Sequence, residues 1–105
     1  MTDKVLVFTT AGSDAEARNI ARELVERRLA ACVNIVPRIQ SVYRWEGKVE
    51  SAEEFLLMIK TTDARSADIK AALRELHSYD LPECVVISMQ DGSAEYLKWI
   101  EESVG

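Results

Sequence analysis

The stretch AACVNIVPRIQSVYRW, residues 30–45, is rich in β-branched and aromatic residues and predicts a long β-strand. Pro37 interrupts this strand, and a proline at such a position indicates an edge strand or a bulge. The dipeptide Glu46-Gly47 then predicts a tight reversal, because glycine supplies the positive φ that hairpin turns require. A return strand over about residues 48–61 completes a β-hairpin.

This hairpin is long for a chain of 105 residues. Residues 30–45 would span about 50 Å if extended, at roughly 3.3 Å per residue, whereas a domain of about 100 residues has a radius of gyration of about 13 Å. The hairpin is therefore expected to bend at Pro37 or to project. Its tip carries Tyr43 and Trp45, and pairing with other copies of the chain would cover both side chains. A hairpin that folds back on its own domain is the alternative.

The segment before the hairpin predicts one strand and one helix. The apolar run Val5–Phe8 indicates a strand that is covered on both faces. Ser13 with Glu16 three residues later fits a capping box, and the helix it begins keeps one apolar face through about Leu29. A strand followed by a helix therefore leads into the hairpin.

The segment after the hairpin repeats this pattern. Thr62 or Asp63 can cap a second helix, which ends at HSYDLPE, residues 77–83, and a fourth strand covers residues 84–89. A short final helix follows Ser93. The order βαββαβ with a C-terminal helix predicts a ferredoxin-like α+β fold, formed by residues 1–105 as a single domain, with both main helices on one face of an antiparallel sheet.

Composition and charge restrict the class of function. Acidic residues outnumber basic ones by 18 to 13, and the net charge of −5 argues against binding nucleic acid or an anionic membrane. Cys32 and Cys84 lie far apart, without the spacing of a zinc site or a disulfide framework. The N-terminal apolar run is too short for a signal segment or a membrane span, which predicts a cytoplasmic location. No feature identifies a partner protein other than the chain itself.

The stretch HSYDLPE contains the only histidine of the chain. Imidazole and thiolate both bind copper, so His77 and Cys84 are candidate metal ligands, with Asp80 and Glu83 as nearby oxygen donors. The simpler interpretation is structural, because a histidine in the last turn of a helix interacts favourably with the helix dipole and its free carbonyl groups.

Two further groups of residues are candidates for binding or assembly. Lys60, Tyr79 and Glu83 could form a cleft between subunits, which would either bind a small anion or hold the subunits together. Tyr43, Trp45 and Trp99 could form a ligand cage, but we expect them to be interface residues.

The motifs of common enzymes are absent from the sequence. It contains no Gly-rich phosphate loop, no GxSxG elbow and no HExxH, and its one histidine has no evident nucleophile to activate. The sequence therefore predicts a protein that is not an enzyme.

Several specific motifs occur together in this chain: RLAACVNI at 28–35, SVYRWEGK at 41–48, Glu53, Lys60-Thr61, the frame His-x-Tyr-x-x-Pro-Glu at 77–83, and Tyr96-Leu97-Lys98-Trp99. In combination they resemble the CutA family of divalent-cation-tolerance proteins. The resemblance covers nearly the whole chain. It implies a ferredoxin-like subunit, a compact homotrimer, a role linked to copper and other divalent cations, and a likeness in subunit architecture to trimeric nitrogen-signalling proteins.

The chain departs from the family pattern around its histidine. Ser78 stands where the family usually has proline. In some members a cysteine in the first strand and two adjacent histidines are implicated in copper binding, and the matching positions here are Thr9, Leu76 and His77. Three functions stay open: weak copper binding between subunits, binding of a small signalling ligand in an inter-subunit cleft, and a structural trimer whose effect on metals is indirect.

Overall fold

The computed structural model describes residues 2–105 and has the predicted ferredoxin-like α+β architecture. Its elements are β1 (Lys4–Ala11), α1 (Asp14–Glu26), β2 (Cys32–Trp45), β3 (Lys48–Thr62), α2 (Ser66–Leu76), β4 (Val85–Ser88) and α3 (Ala94–Ser103). The strands form one antiparallel sheet in the order β2-β3-β1-β4. This order confirms the topology that the sequence predicts.

The β2–β3 hairpin extends well beyond the rest of the sheet. The pairing of β3 with β1 ends at Phe55 opposite Ala11, so the outer half of the hairpin has no further strand beside it. The register of β2 shifts between Val36 and Ile39, and β2 lies at the sheet edge, which confirms both expectations for Pro37. Gly47 has a φ of 79° at the reversal. The molecule measures 44 × 25 × 22 Å, and we attribute its long axis to this hairpin.

Helices α1 and α2 both pack on one face of the sheet and form the core there. Alternate residues of β1 and β3 face these helices, since side chains alternate between the two faces of a strand. The buried side chains that meet in this layer include Val5, Val7, Leu57, Ile59, Ile20, Leu24, Ile69 and Leu73. Full burial of one such side chain contributes about 1.5–3 kcal/mol, and this layer contains most of the fully buried large side chains.

The second face of the sheet is apolar and only partly covered. Lys4 donates to Glu101 at 3.0 Å and Lys60 donates to the Tyr96 hydroxyl at 3.1 Å, so α3 covers one end of this face. In the sheet register Ile87 lies opposite Leu6, and Val85 lies opposite Phe8. We call the apolar residues of this surface the open sheet face: Leu6, Phe8, Leu56, Met58, Val85 and Ile87.

Helix α1 ends earlier than the apolar pattern indicates. The helix stops at Glu26 because Arg28 adopts a left-handed φ of 61°. The amide N–H of Arg28 bonds the carbonyl of Val25, and that of Leu29 bonds the carbonyl of Leu24, both at 3.0 Å. Leu29 still packs against the core although it lies outside the helix.

The start of α2 and the bounds of β4 also differ from expectation. Neither Thr62 nor Asp63 caps α2 with its side chain, because a 3-10 turn over Asp63–Arg65 separates them from the helix. The hydroxyl of Ser66 instead donates to the carbonyl of Asp63 at 2.8 Å. Strand β4 is shorter than residues 84–89, since its pairing with β1 covers only residues 85–88.

Candidate functional site

His77 is buried and lies directly after the last residue of α2. Its backbone leaves the helical conformation with a ψ of 141°, which turns the chain toward β4. The Nε2 atom lies 2.5 Å from the carbonyl oxygen of Thr10, and the Nδ1 atom accepts the N–H of Tyr79 at 3.2 Å. A carbonyl can only accept, so Nε2 carries the proton. Both ring nitrogens are therefore engaged by the chain itself.

The residues of one chain do not fit a metal centre. A metal ligand must present a free nitrogen lone pair, and the Nδ1 lone pair of His77 is already taken by Tyr79. Burial raises the pKa of the Cys84 thiol, which disfavours the thiolate that metals bind. Across residues 2–105 no three His, Cys, Asp or Glu side chains converge closely enough to hold an ion. The pairing of His77 with Cys84 in a metal site stays a prediction without a supporting contact in the single chain.

Tyr79 joins the loop after α2 to the hairpin. Its hydroxyl donates to Oε2 of Glu54 at 2.8 Å, and its ring packs on that of His77 with centroids 4.6 Å apart. Burial, followed by the hydrogen bond to Glu54, raises the pKa of the Tyr79 phenol well above its usual range. The phenol is therefore a neutral donor that holds a buried carboxylate in place.

The loop after α2 is tied to α1 at a second point. Oε2 of Glu16 accepts the backbone N–H of Ser78 at 3.0 Å. Burial opposes ionisation of Glu16, but the hydrogen bonds from Ser78 outweigh it and hold the pKa of this carboxyl below its usual range. The Ser13 hydroxyl caps α1 by accepting the N–H of Glu16, as the capping box predicts. The Glu16 side chain instead accepts a hydrogen bond from the loop after α2.

Gly12 lies against the Tyr79 hydroxyl at the end of β1. A Cβ atom at this position would lie 3.0 Å from Tyr79 Oη and 3.5 Å from Cε1 of the ring. The first distance is too short for comfortable contact, whereas the second is ordinary. Glycine at position 12 therefore leaves room for the phenol to reach Glu54 without a shift of the tyrosine ring.

Gly12→Ala is expected to lower the free energy of unfolding by about 1–2 kcal/mol, because it displaces the Tyr79 hydroxyl from Glu54. Urea denaturation at fixed protein concentration measures the change. The same substitution in a Tyr79→Phe background is expected to cost less than about 0.5 kcal/mol, since the close contact involves the hydroxyl. Equal losses of unfolding free energy in the two backgrounds would show that the contact with the Tyr79 hydroxyl does not explain the effect.

A groove of about 700 Å³ lies between the hairpin and the loop after α2. We call it the hairpin groove, and its principal lining residues are Tyr43, Trp45, Glu54, Tyr79, Asp80 and Glu83. Lysine, arginine and histidine are absent from its lining over residues 2–105. Burial, followed by the charge of Glu54, raises the pKa of Glu83. The groove thus combines carboxylates and aromatic side chains, and both kinds come from the hairpin and from the loop.

Lys60 lies away from the hairpin groove. It is six positions from Glu54 along β3, which corresponds to roughly 20 Å, and it contacts the hydroxyl and ring of Tyr96. A single chain therefore brings Tyr79 and Glu83 together but does not bring Lys60 to them. Trp99 packs on Tyr96 with ring centroids 5.4 Å apart and remains 43% exposed, as Tyr43 does.

Glu54, Gly12 and the Thr10 carbonyl were not predicted as site residues. Glu54 precedes the apolar run FLLMI and is 8% exposed although the sequence suggests a solvated charge. A tyrosine from a loop 25 positions away buries it, and strand periodicity does not reveal such a contact. Only the glycine at the end of β1 offers a signal, as a point of close approach.

Comparison with known proteins points to one family. The family profile described as "CutA1 divalent ion tolerance protein" matches residues 5–103. A divalent-cation tolerance protein CutA from Thermus thermophilus is 46% identical over 100 residues, covering 95% of this chain and 97% of that protein. A protein described as CutA, chloroplastic, from Arabidopsis thaliana is 40% identical over 94% of this chain, which spans 54% of that relative.

A solved structure has the same subunit fold. The structure described as a periplasmic divalent cation tolerance protein CutA from Archaeoglobus fulgidus has a TM-score of 0.94 and 41% identity. The match covers 97% of this chain and 99% of that one. Sequence and fold similarity therefore extend over nearly the full length.

Proposed function

We propose that this chain, which belongs to the CutA1 divalent ion tolerance protein family, acts in tolerance of divalent cations as a non-enzymatic homotrimer. The observation that carries the proposal is the open sheet face. Val85 and Ile87 are 48% and 43% exposed there, beside the half-buried Leu6 and Phe8. A continuous apolar sheet surface of this kind is typical of a subunit interface.

The edges of the sheet support self-association as well. Strand β2 is an edge strand along its whole length, and β4 covers only residues 5–8 of β1 on the other side. Unpaired strand edges favour pairing with another chain. A closed ring of three head-to-tail subunits would cover the edges and bury the aromatic side chains of the hairpin.

The proposal of a non-enzymatic role rests on the bonding of His77. General acid–base catalysis needs a side chain that can reach a substrate proton, and both nitrogens of this imidazole are held inside the chain. The hydroxyl of Tyr79 is likewise occupied, because it donates its hydrogen bond to Glu54. Among residues 2–105, no nucleophile is hydrogen-bonded to the histidine.

Any copper or other divalent cation is proposed to bind weakly and between subunits, because the residues of one chain do not converge on an ion. Calorimetric titration with Cu(II) tests this. We expect binding to disappear in a variant that cannot assemble, such as Ile87→Glu. Equal affinity of the assembled wild type and the monomeric variant would contradict the proposal.

A second candidate function is the binding of a small molecule in the hairpin groove. Its volume of about 700 Å³ falls within the range of ligand pockets, and aromatic side chains are among its lining residues. The tolerance of divalent cations would then be an indirect result of signalling by this ligand.

A cytoplasmic location remains our proposal for this chain. No helix within residues 2–105 combines the length and hydrophobicity that a membrane span requires.

A further inference from the structure

The segment between β4 and α3 contains the one Asp-Gly pair of the chain, Asp91-Gly92. Both residues are exposed and lie outside the helices and strands. The segment leaves β4 after Ser88, which pairs with Val5 near the start of β1, so it lies at the opposite end of the sheet from the hairpin. It therefore belongs neither to the open sheet face nor to the hairpin, the two surfaces that the proposed trimer would cover.

The side chain of Asp91 lies against the backbone nitrogen that follows it. Oδ1 of Asp91 accepts the N–H of Gly92 at 2.8 Å, which places this nitrogen beside the carboxyl carbon. Over residues 2–105 no lysine, arginine or histidine forms an ion pair with Asp91, so no charged neighbour holds the carboxyl group elsewhere. A nucleophilic nitrogen and a carboxyl carbon are thus held together, and such proximity favours ring closure.

Glycine at position 92 leaves this nitrogen open to reaction, because no side chain stands next to it. A Cβ atom here would lie 3.2 Å from Cδ2 of Leu97, which is closer than ordinary packing. Every other aspartate of the chain is followed by a residue with a side chain: Lys4, Ala15, Ala64, Ile69 or Leu81. Asp91 is therefore the aspartate at which ring closure meets the least steric hindrance.

We propose that Asp91 is a site of spontaneous isomerisation to isoaspartate. The nitrogen of Gly92 attacks the carboxyl carbon of Asp91 and forms a C–N bond, and the proton of the nitrogen leaves with the hydroxyl of the protonated carboxyl group as water. Water then adds to the α-carbonyl carbon of the resulting succinimide, breaks its bond to the Gly92 nitrogen and frees the α-carboxyl group. The main chain afterwards runs through the former side chain, and neither the mass nor the oxidation state changes.

The modified segment leads directly into α3. Isoaspartate lengthens the main chain by one carbon atom just before Ser93, whose hydroxyl caps α3 by accepting the N–H of Tyr96 at 3.2 Å. Displacement of an N-cap residue destabilises the first turn of a helix. Tyr96 also accepts the hydrogen bond from Lys60 on β3. Isomerisation is therefore expected to loosen the start of α3 on the sheet.

Incubation of the folded wild-type protein at physiological temperature and neutral pH tests the proposal. An isoaspartyl methyltransferase with labelled S-adenosylmethionine quantifies isoaspartate, and tandem mass spectrometry of the peptides locates it. Asp80 is the internal control, because it is also exposed in a loop but precedes a leucine. We expect isoaspartate at Asp91 to exceed that at Asp80 by about tenfold or more, since the placement of the reacting atoms controls the rate of ring closure.

Asp91→Glu is the matched variant. It keeps the charge at this exposed position, but its longer side chain cannot form the same ring. We expect the isoaspartate of position 91 to be lost in this variant and that of Asp80 to stay unchanged. In the modified wild type, the indole N–H signal of Trp99 on α3 is expected to shift in NMR spectra, whereas that of Trp45 at the hairpin tip stays in place.

Two results would overturn the proposal. Equal accumulation of isoaspartate at Asp91 and Asp80 would mean that neither the glycine nor the contact between Oδ1 and the Gly92 nitrogen favours the reaction. The same incubation in urea provides the second comparison. Isoaspartate at Asp91 in the unfolded chain alone, or in neither state, would mean that the folded segment does not carry the reaction.

Discussion

Ile87→Glu is expected to convert the assembled protein into monomers of 11.8 kDa that remain folded. Ile87 lies on the open sheet face and is 43% exposed in the isolated chain, so a single subunit tolerates a charge there. In the proposed trimer three such glutamates would be buried on one apolar surface. Each uncompensated charge costs several kcal/mol, which is enough to prevent assembly. Light scattering coupled to size-exclusion chromatography measures the mass.

The control for this substitution is Val25→Glu. Val25 is 41% exposed and lies on α1, on the other side of the sheet, so the change in chemistry and exposure is nearly the same. This variant is expected to keep the mass of the wild type. A trimer that survives Ile87→Glu would place the interface elsewhere on the molecule. Monomers from both variants would show that any added charge disrupts assembly.

His77→Ala is expected to lower the free energy of unfolding by about 3 kcal/mol. The substitution removes the partners of the Thr10 carbonyl and the Tyr79 N–H, each of which costs about 1–3 kcal/mol when it is left unpaired, and it also creates a cavity. Binding of Cu(II) per folded trimer is expected to stay unchanged, because neither ring nitrogen is free for a metal. Denaturation with urea and calorimetric titration give the two quantities.

Comparison with the Cys84→Ala variant distinguishes a structural role of His77 from a role in metal binding. Cys84 is half-buried and makes no hydrogen bond through its thiol in residues 2–105, so its removal is expected to cost less than His77→Ala. Loss of Cu(II) binding in both variants, with little loss of stability in His77→Ala, would restore the metal site that the sequence suggested. Loss of stability alone supports the structural role.

The hairpin and its bulge were predictable because their causes are local. Pro37 cannot donate to the ladder, and Gly47 tolerates a positive φ, so each residue determines its own backbone geometry. The helical spacing of apolar residues likewise predicted the core-facing sides of both helices. Helix ends were less predictable, since Arg28 adopts a left-handed conformation that no local propensity indicates.

The candidate site was only partly predictable because its contacts are distant in sequence. His77 was identified as the end of α2, yet its ring bonds the Thr10 carbonyl 67 positions away rather than a carbonyl of its own helix. Tyr79 and Glu83 were identified, but Glu54, which accepts from Tyr79 and repels Glu83, belongs to another element. Lys60 was grouped with them by proximity to a strand end, and along β3 it lies at the opposite end of the sheet.

The mass of the wild-type protein in solution tests the homotrimer most directly. Light scattering at micromolar concentration is expected to give about 35 kDa, three times the chain mass of 11.8 kDa. That value would agree with an open sheet face and strand edges buried between three subunits. A stable species of 11.8 kDa at the same concentration would contradict the proposed assembly and any metal site between subunits.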